Sequence, residues 1–190
     1  MIALILGLGN PGERYRNTRH NIGFAVAEHL AVRLRLTKQN EQLLYTWTGG
    51  NDRFRPVIAR PQAFMNRSGL AAKVLLERVG CLPQQMLVVV DDFHLPLGRL
   101  RVRRSGSDGG HNGLISVAEQ VGTRDFPRLR IGVGPISEDS NVVDFVLGEF
   151  DRSEREKLPK ILDMAAEATL VTVTGGVQAA MEQFNRPNPA

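Results

Sequence analysis

IALILGLGNPGERYRNTRHNIGF, residues 2–24, is the stretch on which the reading of this chain turns. Ile2-Ala3-Leu4-Ile5-Leu6 is a continuous apolar run, the pattern of a short buried strand. Glycines 7, 9 and 12 then turn the chain, and Pro11 prevents an immediate helix. Tyr15, Arg16, Arg19, His20 and Asn21 follow in close succession. Beyond them Ile22, Val26 and Leu30 recur at helical spacing, with Asn21 placed to cap the helix. A strand feeding a glycine-rich turn and a polar, basic cluster is how α/β folds bring chemistry to a sheet edge. The stretch therefore predicts an α/β fold with this loop as one wall of the active site.

The rest of the chain fits that frame. At 190 residues it has the length of one domain with a substantial core, and residues 1–190 are read as a single unit with a frayed tail, NRPNPA, over 185–190. Strands are predicted at Leu43–Thr48 and Phe54–Ala59, joined across Gly49-Gly50-Asn51-Asp52. The loop RPQAFMNRSG (60–69) feeds a helix that carries Leu70, Val74 and Leu75 inward and stops at Gly80. Met86–Val90 reads as a central strand ending abruptly at Asp91-Asp92, before a hairpin-like FHLPLG. A helix follows the loop GSDGGHNGL (106–114), a strand covers Arg128–Val133, and Val142–Leu147 is a loop or short helix. Asp151 or Ser153 caps a further helix, and a last, separate helix starts near Val177.

Composition narrows the classes of function. The 24 Lys and Arg against 20 Asp and Glu leave a charge of +4, a modest surplus that suits an anionic partner. Cys81 is the only cysteine, so no internal disulfide forms, in keeping with a reducing cytoplasm. No apolar run reaches membrane-spanning length, so a cytoplasmic protein without a membrane partner is expected. Glycines 7, 9 and 12 also satisfy the dinucleotide fingerprint, but Pro11 delays the helix and the next strand ends in no ribose-binding acid. No cofactor is expected.

Among the polar residues, His20 is the candidate base, since an imidazole can take a proton from water when a carboxylate orients it. Asp91 or Asp92, at the carboxyl end of a central strand, can supply that carboxylate; a solvated turn is the alternative. No Cys/His cluster or third carboxylate accompanies the two acids, so no metal is expected. Asn10, Asn66 and Asn112 lie in polar loops, where each can serve as a turn residue or as part of a neutral pocket recognising carbonyls. Arg99, Arg101 and Arg103 alternate with apolar residues, and on an extended strand they share one face at a spacing of roughly 7 Å. That spacing suits phosphate contacts that give affinity without sequence preference; a solvated edge strand is the other reading. Cys81 is read as packing.

Together GLGNPGERYRNTRHNIGF, RPQAFMNRSG, VVVDDFHLPLGRLRVR and GSDGGHNGL closely resemble the bacterial-type peptidyl-tRNA hydrolases, in order and across residues 2 to about 150. The resemblance implies a single α/β domain with a mixed, twisted β-sheet surrounded by α-helices, monomeric and without a metal. It implies cleavage of the ester between a peptide's C-terminus and the 3′ ribose of tRNA, with peptidyl-tRNA as the partner through its 3′ acceptor end and attached peptide. By the same resemblance His20 is the base, Asp91 stabilises its proton-accepting form, and Asn10 distinguishes peptidyl- from aminoacyl-tRNA. Tyr15, Phe64, Asn66 and Asn112 line the site with His111 beside them, and Arg101, Arg103 and Arg104 face the tRNA. Two departures stand out. His94 occupies a position that is commonly acidic, and Gly134 replaces an arginine before Pro135, leaving one phosphate contact absent or supplied from elsewhere, for instance by Arg104. Some relatives of the family bind RNA in organellar splicing and have lost the hydrolase role, which is the alternative function.

Overall fold

The computed structural model describes residues 1–40, 44–48, 56–137 and 139–186. The apolar opening run becomes β1 (Leu4–Gly7), and the helix after the polar cluster is α1 (Ile22–Arg33). They are followed by β2 (Thr37–Asn40), β3 (Leu44–Thr48), β4 (Val57–Pro61), α2 (Ser68–Val79) and β5 (Met86–Pro96). The chain continues through β6 (Leu100–Arg103), α3 (Asn112–Val121), β7 (Arg128–Gly134), α4 (Val142–Leu147), α5 (Arg152–Arg155) and α6 (Leu158–Phe184). The seven strands form one sheet in the order β2-β3-β4-β1-β5-β7-β6. Strands β4, β1, β5 and β7 run parallel, and β2, β3 and β6 add antiparallel edges.

Strand alternation divides the core between the two faces. Ile5, Leu87, Val89, Leu129 and Ile131 pack with α1 and α6, whereas Leu4, Leu6, Met86, Val88 and Val90 pack with α2 and α3. Parallel strands covered on both faces read as unbroken apolar runs, which is why β1 and β5 are so plain in sequence. Two glycines set how closely α1 can lie on the sheet. A Cβ on Gly7 would stand 2.2 Å from Gly23 O, and one on Gly23 would stand 2.4 Å from Val89 O.

Several elements differ from expectation for identifiable reasons. β5 does not stop at the two acids but runs to Pro96, with a register shift against β7 between Asp92 and Pro96. Gly132 and Gly134 make that passage possible, since a Cβ on either would meet β5 carbonyl oxygens at 2.0 and 2.2 Å. In α2, Leu70 and Val74 face outward at 53% and 39% exposure, and Ala71, Ala72, Leu75 and Leu76 form the buried row. The helix is rotated because Gly69 lies against the Ser116 carbonyl of α3, where a Cβ would stand 2.0 Å away. The separate last helix expected from Val177, by contrast, is present: α6 is interrupted at Gly176 (φ 85°, ψ 166°), a non-helical conformation that glycine permits, and helix resumes at the next residue.

Asn185 and Arg186, expected to fray, are docked. The Asn185 side chain bonds both backbone groups of Val102 on the edge strand β6, and Arg99 donates to the carbonyls of Asn185 and Arg186. Arg99 thus ties down α6 rather than joining a phosphate-facing row. The Gly49–Asp52 turn, Phe54 and residues 187–190 lie outside the described residues. Among those described, no helix is long and apolar enough to cross a membrane.

Candidate active site

Parallel pairing of β1 with β5 sets Gly7 beside Val89, so the turn leaving β1 runs next to the carboxyl end of β5, two residues short of Asp91. A single 3-10 turn, Arg19–Asn21, then delivers His20 to the start of α1. The two side chains meet across 71 positions: His20 Nδ1 lies 2.8 Å from Asp91 Oδ1, with both residues buried. Of the two acids, Asp91 is the one that reaches the imidazole. Asp92 instead accepts from Arg130 (3.2 Å) and from the His94 backbone N–H (3.0 Å).

The proton positions follow from the hydrogen bonds. His111 Nδ1 accepts from the N–H groups of Gly113 (3.1 Å) and Leu114 (3.3 Å), so its ring proton sits on Nε2, which donates to Asp91 Oδ1 at 3.0 Å. A carboxylate that only accepts then requires the His20 proton on Nδ1, leaving His20 Nε2 with its lone pair free. Burial opposes ionisation of Asp91, but His111 and then His20 outweigh it and hold the carboxyl well below the usual carboxylate range.

His20, Asp91 and His111 stand close enough together to suggest a metal site. The donor set does not fit one. A metal on His111 Nε2 would force the ring proton onto Nδ1, which faces two backbone N–H donors.

His20 opens into a cleft of about 460 Å³ lined by Asn10, Tyr15, Phe64, Asn66 and Asn112, among others. Asn10 is fixed on three sides. Its Oδ1 accepts from Met65 N–H (2.8 Å), its N–H donates to Asn21 Oδ1 (2.7 Å), and its carbonyl accepts from Asn21 Nδ2 (2.9 Å). Asn21 therefore does not cap α1 with its side chain; it locks Asn10 instead. With Oδ1 turned to the Met65 N–H, the Asn10 side chain has its NH₂ left as a donor for the cleft. Tyr15 and Phe64 meet edge to face at 6.2 Å along the rim. His111, expected against substrate, is 5% exposed and lies behind Asp91 rather than along the cleft.

Sequence reasoning missed two contributors. The first is α4, which supplies Val143, Val146 and Leu147 to the cleft wall; its paired valines gave an apolar signal that its brevity obscured. The second is the pair Arg128 and Arg130. Arg128 is buried and donates to the carbonyls of Gly106, Ser107, Arg124 and Phe126, and Arg130 donates to Ser107 and Asp108. Burial, with Arg130 next, pushes the Arg128 guanidinium down to about 10, so it stays charged near neutrality. The signal was arginine recurring in an otherwise apolar strand. Together they hold the 106–109 loop over a basic hollow of about 300 Å³, lined also by His94, Arg101 and Arg103. Arg101 and Arg103 project from the exposed face of β6, and exposed Arg104 lies outside the hollow.

Residues 4–190 match the family model described as peptidyl-tRNA hydrolase. A protein of that name from Chloroflexus aggregans is 44% identical over 96% of this chain and 98% of its own. One from Synechocystis sp. is 42% identical over 96% and 95%. The crystal structure of peptidyl-tRNA hydrolase from Acinetobacter baumannii superposes with a TM-score of 0.91 at 33% identity, covering 100% of this chain and 97% of that one. With the family model spanning nearly the whole chain and relatives this similar along their full length, the chain belongs to the peptidyl-tRNA hydrolase family.

Proposed function

We propose that this hydrolase cleaves the ester between peptide and tRNA in the cleft beside His20, by direct attack of water. The observation that carries the assignment is the 2.8 Å pair between His20 Nδ1 and Asp91, which leaves Nε2 as the nitrogen able to accept a proton. His20 Nε2 takes a proton from water, and the hydroxide adds to the ester carbonyl. Collapse of the tetrahedral adduct expels the terminal ribose oxygen, which recovers the proton from the imidazolium. Amide N–H groups of Asn10, Asn66 or Asn112 supply neutral donors to the developing oxyanion.

Selectivity follows from the fixed Asn10 amide. A peptide bond next to the ester offers a carbonyl to its NH₂, whereas an unblocked amino acid offers an ammonium to a donor, in a pocket that would have to desolvate the charge. The basic hollow at Arg101 and Arg103 suits the tRNA backbone. We also infer that residues 1–190 act as one monomeric domain in the cytoplasm; the single sheet with a core on each face supports the first part.

Cleavage of N-acetylaminoacyl-tRNA, with unblocked aminoacyl-tRNA as control, tests the reading; equal turnover of both would overturn the selectivity argument. Asn10→Asp sharpens the test. With one oxygen still held by Met65 N–H, the other turns a charged acceptor into the cleft. The expected result is a loss of about 10–10²-fold in kcat/KM for the blocked substrate, the scale of losing one charge-sensitive hydrogen bond, and a narrower gap to the unblocked one. For the hollow, Arg101→Ala or Arg103→Ala is expected to weaken tRNA binding uniformly across tRNA sequences. Each should lower the slope of log K against log salt by about 1, measured by titration at several salt concentrations.

A further inference from the structure

Arg19 precedes the proposed base directly, yet its side chain turns away from the cleft and into the segment that follows α4. Its Nη1 donates to the Glu149 carbonyl (2.7 Å) and its Nη2 to Glu154 Oε2 (2.6 Å), while its backbone N–H donates to the Gly148 carbonyl (3.0 Å). Thr18 and Glu149 form a β-bridge beside it. The guanidinium is 4.5 Å from the Phe145 ring centre and 5.3 Å from that of Phe150. Its side chain is 12% exposed. A charge so withdrawn from water is costly unless it is paired and hydrogen-bonded.

Glu154 is held from a second direction. The same Oε2 accepts the Asp151 N–H (2.7 Å), and Asp151 Oδ1 accepts the Glu154 N–H (2.8 Å), a reciprocal cap at the start of α5. The catalytic turn, the end of α4 and the cap of α5 therefore share one ionic junction. α4 stands immediately upstream of it and places Val143, Val146 and Leu147 along the cleft. Val143 is 56% exposed and Val146 6%, so the wall is anchored at its inner end and open at the rim, where the Arg19 side chain adds to the backbone contacts at Gly148 and Glu149.

From this geometry we infer that Arg19 is a positioning residue: it pins the apolar α4 wall to the turn bearing His20 and so sets how the substrate's acyl–ribose junction is seated. It touches neither the reacting atoms nor Asp91. The inference rests on the hydrolase reading of the cleft. A loosened wall costs substrate affinity, whereas the His20–Asp91 pair, held from β5, keeps its aim. The expected signature is a rise in KM with kcat retained.

The test compares wild type, Arg19→Met, Glu154→Gln and the double variant in steady-state cleavage of N-acetylaminoacyl-tRNA, with amide exchange measured over residues 142–149. Met keeps much of the Arg19 stem between the rings and removes its donors. KM is expected to rise about tenfold, equivalent to ~1.4 kcal/mol, with kcat within threefold and faster exchange in α4. Glu154→Gln should show a smaller rise of the same kind. The double variant should be no worse than Arg19→Met, because both substitutions break one junction. A fall in kcat at unchanged KM, or additive effects in the double variant, would overturn the inference; so would unchanged KM in Glu154→Gln should Arg19→Met not fold. If wild type itself fails to cleave the substrate, the hydrolase reading fails instead.

Discussion

His20→Ala is expected to lower kcat for peptidyl-tRNA cleavage by about 10²–10⁴-fold, the usual contribution of a positioned general base, while leaving tRNA affinity within a few-fold of wild type. The two outcomes separate because the proposed base and the basic surface belong to different parts of the fold. His20 lies in the turn before α1 and opens into the Asn10 cleft. Arg101 and Arg103 stand on the edge strand β6. Removing the imidazole leaves Asn10, Asn66 and Asn112 in the cleft lining, so some stabilisation of the oxyanion survives and the residual rate stays above that in water. Single-turnover cleavage measured beside filter binding of deacylated tRNA checks both halves. Normal turnover in the variant would remove His20 from the mechanism. Loss of binding together with turnover would mean that the turn itself had come apart.

The parts of this architecture that were legible in sequence are those set by local chemistry. β1 and the first part of β5 announce themselves because both faces are covered and nearly every position must be apolar. The glycine turn was legible because Gly7 and Gly9 meet atoms that leave no room for a Cβ: one on Gly9 would stand 2.7 Å from the Phe24 ring and 2.9 Å from Asn21 Oδ1. What stayed hidden depends on partners far along the chain. Nothing near Leu70 and Val74 shows that α3 will approach Gly69 and turn them outward. The residues around Asp91 do not choose it over Asp92; only the family resemblance named it. That choice belongs to strand alternation at the carboxyl end of β5, which continues the row of Leu87 and Val89 toward the α1 face. His111 was legible as a polar residue of the site, but not as the second imidazole on Asp91. Its tautomer is set by amides of α3 that sequence alone does not aim.

That choice of carboxylate gives the second large prediction, Asp91→Asn. Oδ1 of Asp91 receives two N–H donors, from His20 and His111, while Oδ2 is buried with no hydrogen-bond partner among the described residues. An asparagine can keep its oxygen toward the two imidazoles only by burying its NH₂ where Oδ2 stood, with nothing to receive it. Turned the other way, it points the NH₂ at both rings. His111 cannot adapt, because its Nδ1 is committed to the Gly113 and Leu114 amides. His20 can, by moving its proton to Nε2, and that shift blocks the atom meant to accept a proton from water. A wrong tautomer in a comparable triad costs about 10⁴-fold, so kcat is expected to fall by about 10²–10⁴-fold, close to the loss in His20→Ala. The double variant should lose little more than either alone, since the two residues act as a unit. Stability should report the same carboxylate. Asp91 is held below its unfolded value, so its contribution is present above about pH 4 and drains away as pH falls from there toward the folded value. Urea unfolding of wild type is therefore expected to weaken over that acid range more steeply than unfolding of Asp91→Asn, which has no carboxyl there to protonate. Parallel curves for the two proteins, or wild-type kcat in the variant, would show that this carboxylate neither orients His20 nor stays charged in the folded protein.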